Sequence, residues 1–90
     1  MIITKLDFLS RALLDQETLE ICIREEWLLP DETMGELAFS EIDLARAKLI
    51  RDLKHDMGVN NEGIGIILHI LDQMHSLRIA MAETLPHKRR

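Results

Sequence analysis

What most restricts the fold of this 90-residue chain is the shortness of one corner. Leu6, Leu9 and Leu13 recur at spacings of three and four behind Thr4, a ready N-cap, which predicts a first helix from about Lys5 to Leu13. A second helix begins almost at once. Asp15 can accept a hydrogen bond from the free N–H of Glu17 or Thr18, and Glu17 suits the positive end of a helix dipole. Leu14-Asp15 leaves room only for a tight corner, so the second helix must leave the first at a steep angle, as in a helix-turn-helix. Leu29-Pro30 is expected to stop it.

At 100° per residue, Leu19, Cys22 and Ile23 share one side of this second helix, while Glu17, Glu20, Ile21, Arg24 and Glu25 occupy the opposite arc. One side is core and the other is displayed. Plain solvated surface would account for such an acidic face, but an isoleucine set among the charges favours a contact surface. The wider charge distribution agrees. Up to Asp43 there are three basic side chains against eleven acidic ones, a balance of −8, and the remainder carries +3. An acidic end of this kind steers partners rather than shaping the fold.

After Pro30, DETMGELAF contains Gly35 and no helical period, and is expected to be a loop or a small two-stranded wing ending at 37–39. Ser40 with Asp43 forms an acidic variant of the capping box, and Phe39 is placed to pack on the first turns of the helix that follows. Ile42, Ala45, Leu49, Leu53 and Met57 predict its apolar stripe, with Gly58 as a left-handed cap. Arg46, Arg51 and Lys54 lie off that stripe with Lys48 nearby, and a solvated flank accounts for them. Asn60 or Asn61 caps a last helix in which Ile64, Ile67, Leu68, Leu71, Met74, Leu77, Arg78 and Met81 recur as in a coiled-coil seam, although Gly63 and Gly65 weaken its first turn. Ile66 and Ile70 widen the stripe. Burial on two sides follows: against its own domain, and against a second copy through Ile67, Ile70, Leu71, Met74, Leu77, Arg78 and Met81. Residues 1–84 are expected to form one domain, and 85–90 a frayed basic tail.

A chain this short buries only about 60 to 65% of its unfolded surface, which leaves stability marginal unless it oligomerises. No apolar run reaches the 18 or so residues that span a bilayer, and MIITKLDF lacks the pattern of a signal peptide; a cytoplasmic protein with no membrane association is expected. Cys22, the one cysteine, reads as an inert core thiol, and Trp27 as a corner of the core. His55, His69, His75 and His87 have no metal-ligand spacing, no glycine-rich phosphate loop or Gly-x-Ser-x-Gly elbow is present, and no carboxylates are visibly paired in an apolar setting. No catalytic residue, metal site or cofactor is expected, and the chain is not read as an enzyme.

Three landmarks, EEWLLP at 25–30, FSEIDLARAKLIRDLKHDMG at 39–58 and NNEGIGIILHILDQM at 60–74, resemble the MerR-type winged helix-turn-helix. The resemblance implies a mainly all-α fold of four to five helices with at most a minimal β wing. Within that group the short length and the run from Leu44 to Arg78 look most like the chaperone modulators called CbpM, small inhibitors of a DnaJ-like (CbpA-type) J-domain co-chaperone. The departures bear on function. Where MerR-type regulators offer threonine, arginine and tyrosine to DNA, the matching places fall near Leu19, Ile21, Cys22 and Ile23, with Glu17, Glu20 and Glu25 around them. A duplex carries about one charge per 1.7 Å, and this helix would repel it. Arg46, Lys48, Arg51 and Lys54 could touch its backbone, which positions a protein without conferring sequence choice. A MerR-like transcriptional regulator gripping DNA through that flank is therefore the second reading, and a dimerisation module without a fixed client the third. The resemblance implies instead that the acidic face meets a basic J-domain helix: Glu17, Glu20 and Glu25 would orient the encounter, Ile21 and Leu28 would supply its desolvated centre, and Arg24 would meet a carboxylate.

Overall fold

The computed structural model describes residues 2–84; the expected tail at 85–90 lies outside the described residues. In chain order it contains β1 (Ile3–Thr4), α1 (Lys5–Ala12), α2 (Gln16–Arg24), β2 (Asp31–Thr33), β3 (Glu36–Phe39), α3 (Glu41–Arg51) continuing into a π-helical segment (Asp52–Asp56), and α4 (Asn61–Thr84). The expected mainly helical, winged helix-turn-helix architecture is what forms.

Thr4 caps α1, its hydroxyl accepting from the Asp7 N–H at 3.4 Å. The buried face of α1 is not the predicted leucine stripe. Phe8 and Ala12 are buried and Leu9 is half-buried, whereas Leu6 and Leu13 are 80% and 71% exposed. Two forces choose this side. Phe8 stacks on Phe39 with ring centroids 4.0 Å apart, which turns the Phe8–Ala12 side inward. Leu13 then takes the left-handed conformation, φ 57°, so that the Leu14 N–H reaches the Leu9 carbonyl at 3.1 Å; this ends the helix, lifts Leu13 into solvent and tucks Leu14 into the core.

The same device closes α2 well before Pro30. Asp15 caps its start, accepting from the Thr18 N–H at 2.7 Å. At its end Glu26 adopts φ 61°, the Glu26 N–H donates to the Ile23 carbonyl at 3.1 Å, and the Trp27 N–H donates to the Cys22 carbonyl at 2.9 Å. That pair of bonds is a Schellman motif with glutamate where glycine is usual. Pro30 lies beyond it.

β2 and β3 form the expected wing, joined by Met34-Gly35 with φ of 53° and 81°, the doubly positive geometry of a type I′ hairpin. An unforeseen third strand joins them. β1 pairs antiparallel with β3, Ile3 opposite Phe39, giving the order β1-β3-β2.

The Ser40–Asp43 capping box is complete, with bonds of 3.0 and 3.1 Å. Along α3 the buried residues are Leu44, Ala47, Ile50 and Leu53, spaced by three, whereas Ile42, Ala45 and Met57 of the predicted stripe are exposed. Each step of three residues moves the buried position back by about 60°, so α3 is enclosed on successive sides rather than along one line. It is the central helix. From Asp52 it widens to π geometry, with the Met57 N–H on the Asp52 carbonyl at 3.1 Å, and Gly58, φ 68°, ends it as predicted.

The basic flank of α3 is not the solvated surface expected. Arg51 donates to the Ala12 carbonyl at 3.0 Å, answering the open end of α1; Lys54 bonds the Asn61 side chain at 3.1 Å; Arg46 donates to the Trp27 carbonyl at 2.9 Å and to Asp72 at 2.7 Å. Lys48 remains exposed.

Asn60 caps α4, accepting from the Gly63 N–H at 2.8 Å. A Cβ on Gly63 would lie 2.7 Å from Val59 Cγ1, so this glycine allows the cap and Val59 to close over the first turn. Ile64 and Leu68 anchor α4 in the core. From His69 to Thr84 every residue is exposed. The radius of gyration, 15.5 Å, exceeds the roughly 12 Å of a compact chain of this length because α4 projects away from the body. Among the described residues no helix is long and apolar enough to cross a membrane.

Candidate functional site: the acidic face of α2

The amphipathic division of α2 is the one expected for Leu19, Cys22 and the charged residues, but not for Ile21, which is drawn partly into the core. Leu19 and Cys22 are buried, with Thr18, while Glu17, Glu20, Arg24 and Glu25 stand in solvent. Ile21 and Ile23 are half-buried at the borders, packed in part against the core. Ile21 therefore offers a seated apolar edge between carboxylates rather than a fully free side chain. The charged groups are only loosely committed to one another: Gln16 donates to Glu20 at 3.1 Å, and Arg24 lies 3.8 Å from Glu25. Solvated pairs of this kind can be exchanged for a partner at small cost.

Leu28 does not belong to this face. It is 1% exposed, because the left-handed turn at Glu26 folds Trp27 and Leu28 beneath the end of α2. The apolar side chain that emerges is Leu29, which with Ile2, Ala38 and Asp31 lines a shallow concavity beside the sheet. Sequence periodicity could not have found that exchange, since the signal is a positive φ at a glutamate.

The site holds no activated nucleophile. Burial pushes the Cys22 thiol up to about 11, with Lys54 opposing, so the sulfur stays protonated. Hydrogen bonds from Thr18 hold the Asp15 carboxyl below its ordinary value of 3.8, which fits a cap rather than a proton carrier. Among the described residues no group of three or more His, Cys, Asp or Glu could hold a metal ion.

Leu19, Cys22, Ile21 and Ile23 are buried or half-buried and carry no group that could pair with phosphate. Of the four basics on α3 and its π-helical continuation, three bond to the chain itself. On α4, Ile67, Ile70, Leu71, Met74, Leu77, Arg78 and Met81 fall within an arc of about 120°. Ile67 is half-buried at the base of that stripe, and the other six lie on the projecting part of the helix.

Residues 3–84 match the family described as MerR HTH family regulatory protein, and the chain belongs to it. No curated protein and no solved structure gives a match.

Proposed function

For this member of the MerR helix-turn-helix family, we propose that the helix-turn-helix binds a protein rather than a gene: the chain inhibits a DnaJ-like (CbpA-type) co-chaperone by holding its J-domain, and works as a homodimer joined through α4. One observation carries the reading. Where a DNA reader needs cations, α2 exposes Glu17, Glu20 and Glu25 around the half-buried Ile21. Carboxylates in solvent attract and orient a lysine- and arginine-rich helix, the apolar edge supplies the part of the contact worth desolvating, and Arg24 would exchange its loose, 3.8 Å pairing with Glu25 for an acid on the partner. Occupying the surface that a J-domain offers to its Hsp70 would inhibit without any chemistry by this chain. A Glu17→Lys, Glu20→Lys protein should lose most of its J-domain in a pull-down; undiminished capture would rule out this use of the face.

Family membership itself favours a second reading, a transcriptional regulator. The flank it would use is weakened by the bonds from Arg46, Arg51 and Lys54 to Trp27, Ala12 and Asn61. A gel shift at low salt that fades steeply as salt rises would support this regulator; none at low salt would remove it.

A further inference from the structure

A second concavity, of about 370 Å³, opens between the turn after α2 and the face of α4 that points away from the apolar stripe. Glu25, Glu26 and Trp27 line it from the turn, and Gly65, His69 and Asp72 from α4. Trp27 is only 7% exposed, and its indole N–H has no acceptor among the described residues. Its Nε1 lies 3.5 Å from where a Cβ on Gly65 would stand, and apart from the two chain neighbours and the surrounding backbone of α4 no other atom comes within 4 Å of that point. Trp27 and Gly65 both line the cleft, so the Nε1 edge of the indole borders it beside Gly65. Unlike Gly63, Gly65 is not required by packing, since 3.5 Å is an ordinary contact. What its missing side chain does is leave the donor uncovered. Among the lining residues Glu25, Glu26 and Asp72 outweigh Arg46 by a net −2, although Arg46 bonds Asp72 and Arg24, outside the cleft, lies 3.8 Å from Glu25.

We infer that this cleft is a binding site for one basic residue of a protein partner, its cationic end among the carboxylates and its main-chain carbonyl on the Trp27 N–H. A phosphate or carboxylate would meet the acceptor-rich walls, and an apolar group would leave the donor buried without a partner. The volume is at the low end for ligand pockets and suits a single side chain with its peptide unit. The inference rests on reading the chain as a protein-binding module, and it adds a contact separate from Glu17, Glu20 and Ile21. Gly65, His69 and Asp72 lie about 140 to 180° round α4 from the middle of the stripe, so a dimer made through that stripe leaves the cleft open.

Trp27 is the only tryptophan, so its single indole N–H resonance reports the site without interference. Titrating the full chain with N-acetyl-arginine amide should move that resonance saturably, with a midpoint of the order of millimolar. The neutral N-acetyl-glutamine amide at matched ionic strength should not do so. Gly65→Ala, which sets a methyl against Nε1, should weaken the effect at least tenfold, and Glu26→Gln at least threefold. The Glu17→Lys, Glu20→Lys protein should respond like the parent, which separates this site from the α2 face. An unsaturable shift, an equal response to the glutamine compound, or an unchanged midpoint in both cleft variants would overturn the assignment.

Discussion

Met74→Lys tests whether the projecting half of α4 is a dimer seam, and the expected size of the effect follows from exposure. In the single chain Ile70, Leu71, Met74, Leu77 and Met81 are each between 40 and 60% exposed. Full burial of such a side chain stabilises by about 1.5 to 3 kcal/mol, so covering the exposed half gives roughly 1 kcal/mol each and about 10 kcal/mol for two helices. Association costs on the order of 4 to 15 kcal/mol; the low end of that range leaves about 6 kcal/mol, a reversible dimer with a Kd in the tens of micromolar. Met74 lies mid-stripe and occurs twice in a two-fold pair. Replacing it with lysine removes about 2 kcal/mol and sets two ammonium groups in the seam, which weakens association by about 30-fold or more. Sedimentation equilibrium distinguishes the 10.4 kDa chain from a species of twice that mass. The parent should dimerise, Met74→Lys should sediment as a monomer at the same concentration, and Ser76→Lys, on the opposite side of α4, should behave as the parent. A parent that stays monomeric at about 100 µM, or a Met74→Lys protein that dimerises equally well, would refute the reasoning.

Other consequences are smaller in scale. Glu26→Gly should raise stability by about 0.5 to 1 kcal/mol in urea melts, because it removes the Cβ from a left-handed position already fixed by two hydrogen bonds. Gly63→Ala should destabilise by about 1 to 3 kcal/mol, since its methyl would overlap Val59, in spite of alanine's better helix propensity. The lowered Asp15 carboxyl contributes stability that is fully present above 3.8, its ordinary value, and is lost as pH falls through the folded value below it. Thermal melts from about pH 5 to pH 2 should therefore fall more steeply for the parent than for Asp15→Asn, and parallel curves would contradict the assignment.

Caps were legible in the sequence because they are written in side chains: Thr4, Asp15, Ser40 with Asp43, and Asn60 all accept the bonds their positions foretell. Helix ends were legible at Gly58 and, to within a residue, at Leu13, but not for α2, which stops at Arg24 well before Pro30. Leu13 and Glu26 close α1 and α2 by the same left-handed turn, but neither residue type announces it. From those two turns follow the exposure of Leu13, the burial of Leu28 and the appearance of Leu29 at the surface. Strand β1 was missed because two residues carry no alternation, and its register depends on Phe39, 36 positions away. The α3 stripe failed for a tertiary reason: a helix packed on successive sides has no single apolar line. The acidic face of α2 was readable because its buried half, Leu19 and Cys22, follows ordinary helical spacing on an outer helix.

Whether α2 is a protein-binding helix can be settled by amide chemical-shift mapping of the labelled chain as it is titrated with an isolated J-domain. The largest perturbations should run through Glu17, Glu20, Ile21 and Arg24, and raising the salt should weaken them. Perturbations confined to Lys48 and the rest of α3, or no saturable change while a DNA duplex shifts those same amides, would contradict it.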